Sequence, residues 1–128
     1  MYECNETITV FNRRYDNDSG LDVWTPTVIS GASWYEKTDT AITDSGLKAA
    51  KKCIVRIPED ADTGDKSYVD PITYAGDQAT FTLTAGDIIV RGVCSVYAEI
   101  KQHSHVTIIG VTNNMHRPRG KHFRVVCE

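Results

Sequence analysis

Three short stretches of this chain hold residues of the kinds that do chemistry. Asp60-Ala61-Asp62-Thr63-Gly64-Asp65 spaces its carboxylates as a calcium loop begins. An EF-hand loop needs oxygen ligands at its alternate positions, then a glycine and a distal glutamate. Counted from Asp60, the third ligand position falls on Gly64 and the distal one on Pro71, so a solvated acidic loop is expected instead. His103 and His105 would share one face of a strand, but metal binding needs a further ligand brought in by the fold, from His116, His122 or Cys127. Surface histidines are the simpler expectation. Gly64-Asp65-Lys66-Ser67 lacks the glycine immediately before lysine, and the earlier glycine, that a phosphate loop uses. Neither a G-x-S-x-G elbow nor an H-E-x-x-H run occurs. The expectation is a protein that is not an enzyme and holds no cofactor or metal.

Charge is arranged more tellingly. Lys48, Lys51 and Lys52 form one basic cluster, and Arg117, Arg119, Lys121 and Arg124 form another. Such side chains neutralise phosphate charge without reading base sequence. Only Phe123 interleaves the second cluster, which is thin for base stacking. Residues 1–90 carry a net −7 and residues 91–128 a net +4, giving −3 for the chain. An acidic majority with a basic end suits head-to-tail contact between copies. Cys4, Cys53, Cys94 and Cys127 include no close pair, so free and mostly buried thiols are expected.

Elements must position these residues. A chain of 128 residues with 41% hydrophobic and 24% charged content accommodates one globular domain. No apolar run reaches the roughly 20 residues of a spanning helix. The polar, acidic start lacks the features of a signal peptide, which predicts synthesis and retention in a cytoplasm. Glu6 to Tyr15 alternates as a strand, with Ile8, Val10 and Asn12 on one face. After the turn formers Asp16 to Gly20, a second strand runs from Asp22 to Tyr35, where Pro26 and Gly31 predict an edge or a bulge. Residues 37–52 read as a protruding hairpin or loop before the strand Cys53 to Ile57, which Pro58 ends. Residues 59–79 read as a long polar excursion. Thr80 to Leu83, Asp87 to Arg91, Val106 to Val111 and His122 to Cys127 are further strands, and Ser95 caps a short helix to His103. The fold class is therefore mainly β: a single-domain β-barrel or sandwich over residues 1–128, with long loops and at most one short helix.

The ordered set of these pieces resembles a known family. Thr7-Ile8-Thr9-Val10-Phe11-Asn12-Arg13, Trp24 with Thr27 to Trp34, and Val55-Arg56-Ile57-Pro58 carry the first half of the likeness. Phe81-Thr82-Leu83, Gly86 to Gly92, and Val111-Thr112-Asn113-Asn114 before His122-Phe123-Arg124-Val125 carry the second. Together they resemble the minor capsid and head–tail connector proteins of tailed phages and prophages, of the stopper or head-completion type. Asn113-Asn114 departs from that family's Asp-Asn turn. The resemblance implies a virion protein of the neck, assembled in the host bacterial cytoplasm as a cyclic ring. The ring would close the DNA exit channel and dock the tail, between the adaptor and portal side and the tail-completion proteins. It implies transient contact with packaged double-stranded DNA and none with a membrane. On this reading Lys48, Lys51 and Lys52 meet the DNA. Asp60, Asp62, Asp65, Arg117, Arg119 and Lys121 meet neighbouring copies or rings. A phage tail-completion or tail-tube protein is the nearest alternative, and an OB-like nucleic-acid-binding module a more remote one.

Overall fold

Alternating side chains make most of this chain into strand. The computed structural model describes residues 5–43, 46–74, 79–115 and 120–128, and of residues 37–43 and 46–51 it describes the backbone. The strands are β1 (Glu6–Asp16), β2 (Leu21–Thr43), β3 (Gly46–Pro58), β4 (Ser67–Tyr68), β5 (Thr80–Phe81), β6 (Ile88–Arg91), β7 (His105–Asn113) and β8 (His122–Cys127). Six of them close a barrel in the order β1-β2-β3-β8-β7-β6, each neighbour antiparallel. The protein is thus mainly β and barrel-shaped, as its alternation predicts.

Period-two patterning fills the interior. Ile8 and Val10 of β1, Ile29 of β2, Val55 of β3, Ile89 of β6, Ile108 of β7 and Val125 of β8 are buried in one cluster. Each such side chain contributes about 1.5–3 kcal/mol by leaving water. A second, smaller cluster lies outside the barrel wall, where Phe11, Val90, Cys94 and Ile100 pack together. There a 3-10 helix, Tyr97–Gln102, lies over β1 and β6, and Tyr97 stacks on Trp24 at 4.6 Å between ring centroids. The sequence predicts a helix capped by Ser95 and reaching His103, whereas the observed one spans Tyr97–Gln102. Its N-cap is Val96, with no side-chain cap bond, because Thr9 Oγ1 accepts the Cys94 N–H and holds the preceding chain against β1.

The barrel closes where β6 meets β1, along four ladder pairs from Ile8↔Arg91 to Phe11↔Ile88. Side chains extend that short seam at both ends. At one end Gly92 donates its N–H to the Thr7 carbonyl at 2.7 Å, and Thr9 Oγ1 donates to the Gly92 carbonyl at 2.8 Å. Gly92 has φ of 99°, a left-handed conformation that L side chains rarely adopt. Arg91 there pairs with Glu6 at 2.6 Å and holds that exposed carboxyl below its ordinary range, chiefly by the hydrogen bond.

At the other end Asp87 and Asn12 replace the ladder. Asp87 accepts the Arg13 N–H at 3.0 Å, the Asn12 Nδ2–H at 2.9 Å and the Thr84 N–H at 3.3 Å. The Asn12 amide also donates to the Thr82 carbonyl and accepts the Thr82 N–H, at 2.6 and 3.2 Å, as a strand partner would. This explains why the predicted strand Thr80 to Leu83 stops at Phe81: a side chain takes the place of a neighbouring backbone. Both Asn12 and Asp87 are 1% exposed. Burial raises the Asp87 carboxyl above its ordinary value, against the lowering effect of the hydrogen bonds it accepts.

Asn12→Ala leaves the buried Thr82 N–H and carbonyl without their partner and should lower stability by about 2–3 kcal/mol in urea unfolding. An unchanged midpoint would show that Asn12 does not hold this end of the seam. Because the folded-state value of Asp87 lies above its unfolded one, the neutral carboxyl favours the folded state. That contribution is present below the unfolded value, about 3.9, and is lost as pH rises through the folded one. The stability gap between the native protein and Asp87→Asn should therefore narrow as pH rises from the acid side to neutrality. A gap independent of pH would contradict it.

Candidate assembly surface

β2 is long enough to serve two partners in turn. Its first part pairs with β1 as far as Ala32, and its second part pairs with β3 from Ser33 onward. The changeover is a bulge at Gly31, whose φ is 92° and where the β1 register shifts between Glu6 and Thr7. Each part is left with one outer edge.

The edge of the first part is covered. Ser30 and Asp62 exchange backbone hydrogen bonds at 2.8 Å in both directions, laying the segment after β3 against β2. Four residues later the Lys66 ammonium donates to the Pro26 carbonyl at 2.9 Å and to Thr27 Oγ1 at 3.0 Å. Pro26 sits where its missing N–H costs no ladder bond, since its neighbours Thr25 and Thr27 pair inward with Asn12 and Val10. A proline, a lysine and a covering strap are the means by which native sheets blunt an edge. Within the strap Asp62 Oδ1 accepts the Gly64 N–H at 2.9 Å, and Gly64 and Asp65 both have positive φ, at 64° and 67°. Asp60, Asp62 and Asp65 are exposed, and the Asp62 side chain is already used in this turn.

The second part is treated differently. Beyond the barrel, β2 and β3 continue as a two-stranded arm of seven register pairs, from Lys37↔Lys52 to Thr43↔Gly46. At about 3.3 Å per residue the arm reaches about 20 Å. β8 stops pairing with β3 at Cys53, so among the described residues no strand lies along either outer side of the arm. The register sets Lys48 opposite Ala41, Lys51 opposite Thr38 and Lys52 opposite Lys37, and the Lys52 side chain is exposed. Arg117 and Arg119 lie outside the described residues. Lys121 is half-buried at the root of the strap, where its carbonyl accepts the Glu59 N–H at 3.1 Å. The structure thus brings Lys121 to the acidic strap and places the three arm lysines elsewhere.

Chemistry-bearing groups gather in one further place, a cleft of about 320 Å³ at the base of the arm lined by Glu36, Cys53, His103, His105 and Glu128 around Trp34. The Arg91 guanidinium lies 5.7 Å from the Trp34 ring centre, and the Trp34 indole donates to Glu36 at 3.1 Å. His105 Nδ1 lies 3.1 Å from the His103 carbonyl. His122 is turned to the Gly120 carbonyl at 2.6 Å instead, and Cys127 is buried opposite Cys53 across β3 and β8. Burial first, and the Cys53 charge second, push the Cys127 thiol up to about 12, which leaves it almost wholly protonated at neutral pH. Cys53, Cys94 and Cys127 are buried and outside any disulfide. Among the described residues no three His, Cys, Asp or Glu side chains are placed to hold a metal ion, and no helix is long and apolar enough to cross a membrane.

The chain belongs to DUF6751, a family of unknown function whose pattern it matches over residues 3–128. No curated protein and no solved structure matches it.

Lys66→Ala removes both bonds that the strap makes to β2 through this side chain. It should lower stability by about 1 kcal/mol in urea unfolding. A midpoint equal to that of the native protein would mean that the strap is held elsewhere.

Proposed function

We propose that this protein is a structural subunit of the tailed-phage or prophage neck, the stopper or head-completion component of the head–tail connector. The observation that carries the reading is a closed barrel from which a ribbon about 20 Å long projects, with no strand along its sides among the described residues. A ring subunit needs a stiff frame and a protruding element that can meet a neighbour or the channel, and those are the two parts present. The likeness in the order of its sequence pieces to connector proteins supplies the choice of component.

In this role the subunits form a cyclic ring below the portal and adaptor, close the DNA exit channel after packaging and offer a surface to the tail-completion protein. The arm meets the channel or a neighbouring copy, and its Lys48, Lys51 and Lys52 supply the positive charge for that contact, to DNA phosphate or to carboxylate. Asp60, Asp62 and Asp65 of the strap face protein, because carboxylates lining a DNA channel would repel its backbone. Arg117, Arg119 and Lys121 complete the contacts between copies or rings. The role requires no catalysis and no cofactor.

Imaging of whole particles tests this directly: density for the protein should appear once, at the neck. A repeat along the tail would identify a tube subunit instead. Triple replacement of Lys48, Lys51 and Lys52 by glutamate should release DNA from assembled heads, read as the fraction of full particles after purification. Undiminished retention would remove these lysines from the channel.

A further inference from the structure

The two outer edges of β2 have opposite fates, and that contrast identifies an interface. Along the barrel, the molecule spends a proline, the Lys66 side chain and the Asp62 bridge on covering the edge. Along the arm it provides no covering strand among the described residues. Exposed ribbon edges present rows of backbone donors and acceptors that pair with any strand that arrives. Two segments of the same chain also carry opposite charge. Residues 37–52 hold four lysines against two aspartates, while residues 59–65 hold Glu59, Asp60, Asp62 and Asp65 and no base. These four acids are exposed on the outside of the strap, which itself lies along the barrel and away from the arm of its own molecule.

We infer that the arm of one copy docks on the acidic strap of a second copy of this chain, so that the subunits associate head to tail. The contact rests on the ring reading given above and names the surfaces that make it. It is heterologous: each copy offers an arm to one neighbour and a strap to the other, and such contacts close into a ring when the rotation between copies permits. Its electrostatic part sits at the surface and weakens as the screening length shortens from about 30 Å at 0.01 M salt to about 8 Å at 0.15 M. Strap and arm of one molecule cannot satisfy each other, because the strap is pinned to β2 through Ser30 and Lys66.

A charge swap in the purified full chain tests this by sedimentation equilibrium from micromolar to millimolar protein. One variant carries Lys48→Glu, Lys51→Glu and Lys52→Glu, and the other Glu59→Lys, Asp60→Lys and Asp65→Lys. Both alter exposed or arm positions, and circular dichroism checks that each keeps its β signature. The native protein should self-associate, more strongly at low salt, and each variant alone should associate about tenfold more weakly or worse. An equimolar mixture should recover association, because each arm then meets a strap of opposite sign. A native protein that stays monomeric at millimolar concentration and low salt overturns the inference. So do variants that associate as the native protein does, or a mixture no stronger than its components. None of these results bears on whether the protein lies at the neck, which particle imaging decides separately.

Discussion

The barrel exists because one short seam is held shut. Between β6 and β1 only four ladder pairs are available, fewer than at any other junction of the barrel except β6 with β7. Left at that, the six strands would form an open sheet with two exposed edges. Asn12 and Asp87 prevent it by supplying, from side chains, the acceptors and donors that a longer β6 would have supplied from its backbone. The opposite end is stitched by Thr7, Thr9 and the left-handed Gly92, with the Glu6–Arg91 pair outside. That surface ion pair contributes about 0–1 kcal/mol, so closure depends on the buried amide and carboxylate and not on the exposed charges. A charged group in this position is costly to bury, which is why three donors converge on it.

Closure decides where the molecule can still pair with something else. Once the seam is shut, the described strand lengths that keep a neighbour on one side only include the two parts of β2, the distal part of β3, the far end of β1 and the stretches of β7 that meet β6 or β8 alone. The strap takes the first part of β2. The arm remains, joined to the frame by β2 running unbroken through the bulge at Gly31. An isolated two-stranded ribbon is marginally stable in water, so its anchoring in the barrel is what lets it persist as a projecting element. Frame, strap and arm are thus successive consequences of one closed seam.

Much of this was written in the sequence, and the exceptions share a cause. β8 runs from His122 to Cys127, the limits its alternation predicts, because Phe123, Val125 and Cys127 are all buried on one face. Pro26 and Gly31 announce an edge and a bulge, and each position provides one. The ribbon character of residues 37–52 is faint in sequence because period two marks a strand that is buried on one side. Thr38 to Thr43 and Leu47 to Lys52 lie beyond the last ladder pairs that β1 and β8 make with β2 and β3. The partnership of Asn12 with Asp87 spans 75 residues and leaves no local trace. Asn12 reads only as a polar residue on an apolar face, and Asp87 only as the residue after a turn. Ser95 is a sound N-cap by type, but the chain around it is fixed by Thr9 on another strand.

Amide hydrogen exchange in dilute, monomeric protein tests the division into closed frame and open arm most directly. The account predicts that amides of β1 and β6 along the seam exchange only through global unfolding, while those of residues 46–52 that do not bond to β2 exchange orders of magnitude faster. Arm amides protected as strongly as the seam would contradict it, since the chain would then be covering its own ribbon and leaving no surface for another molecule.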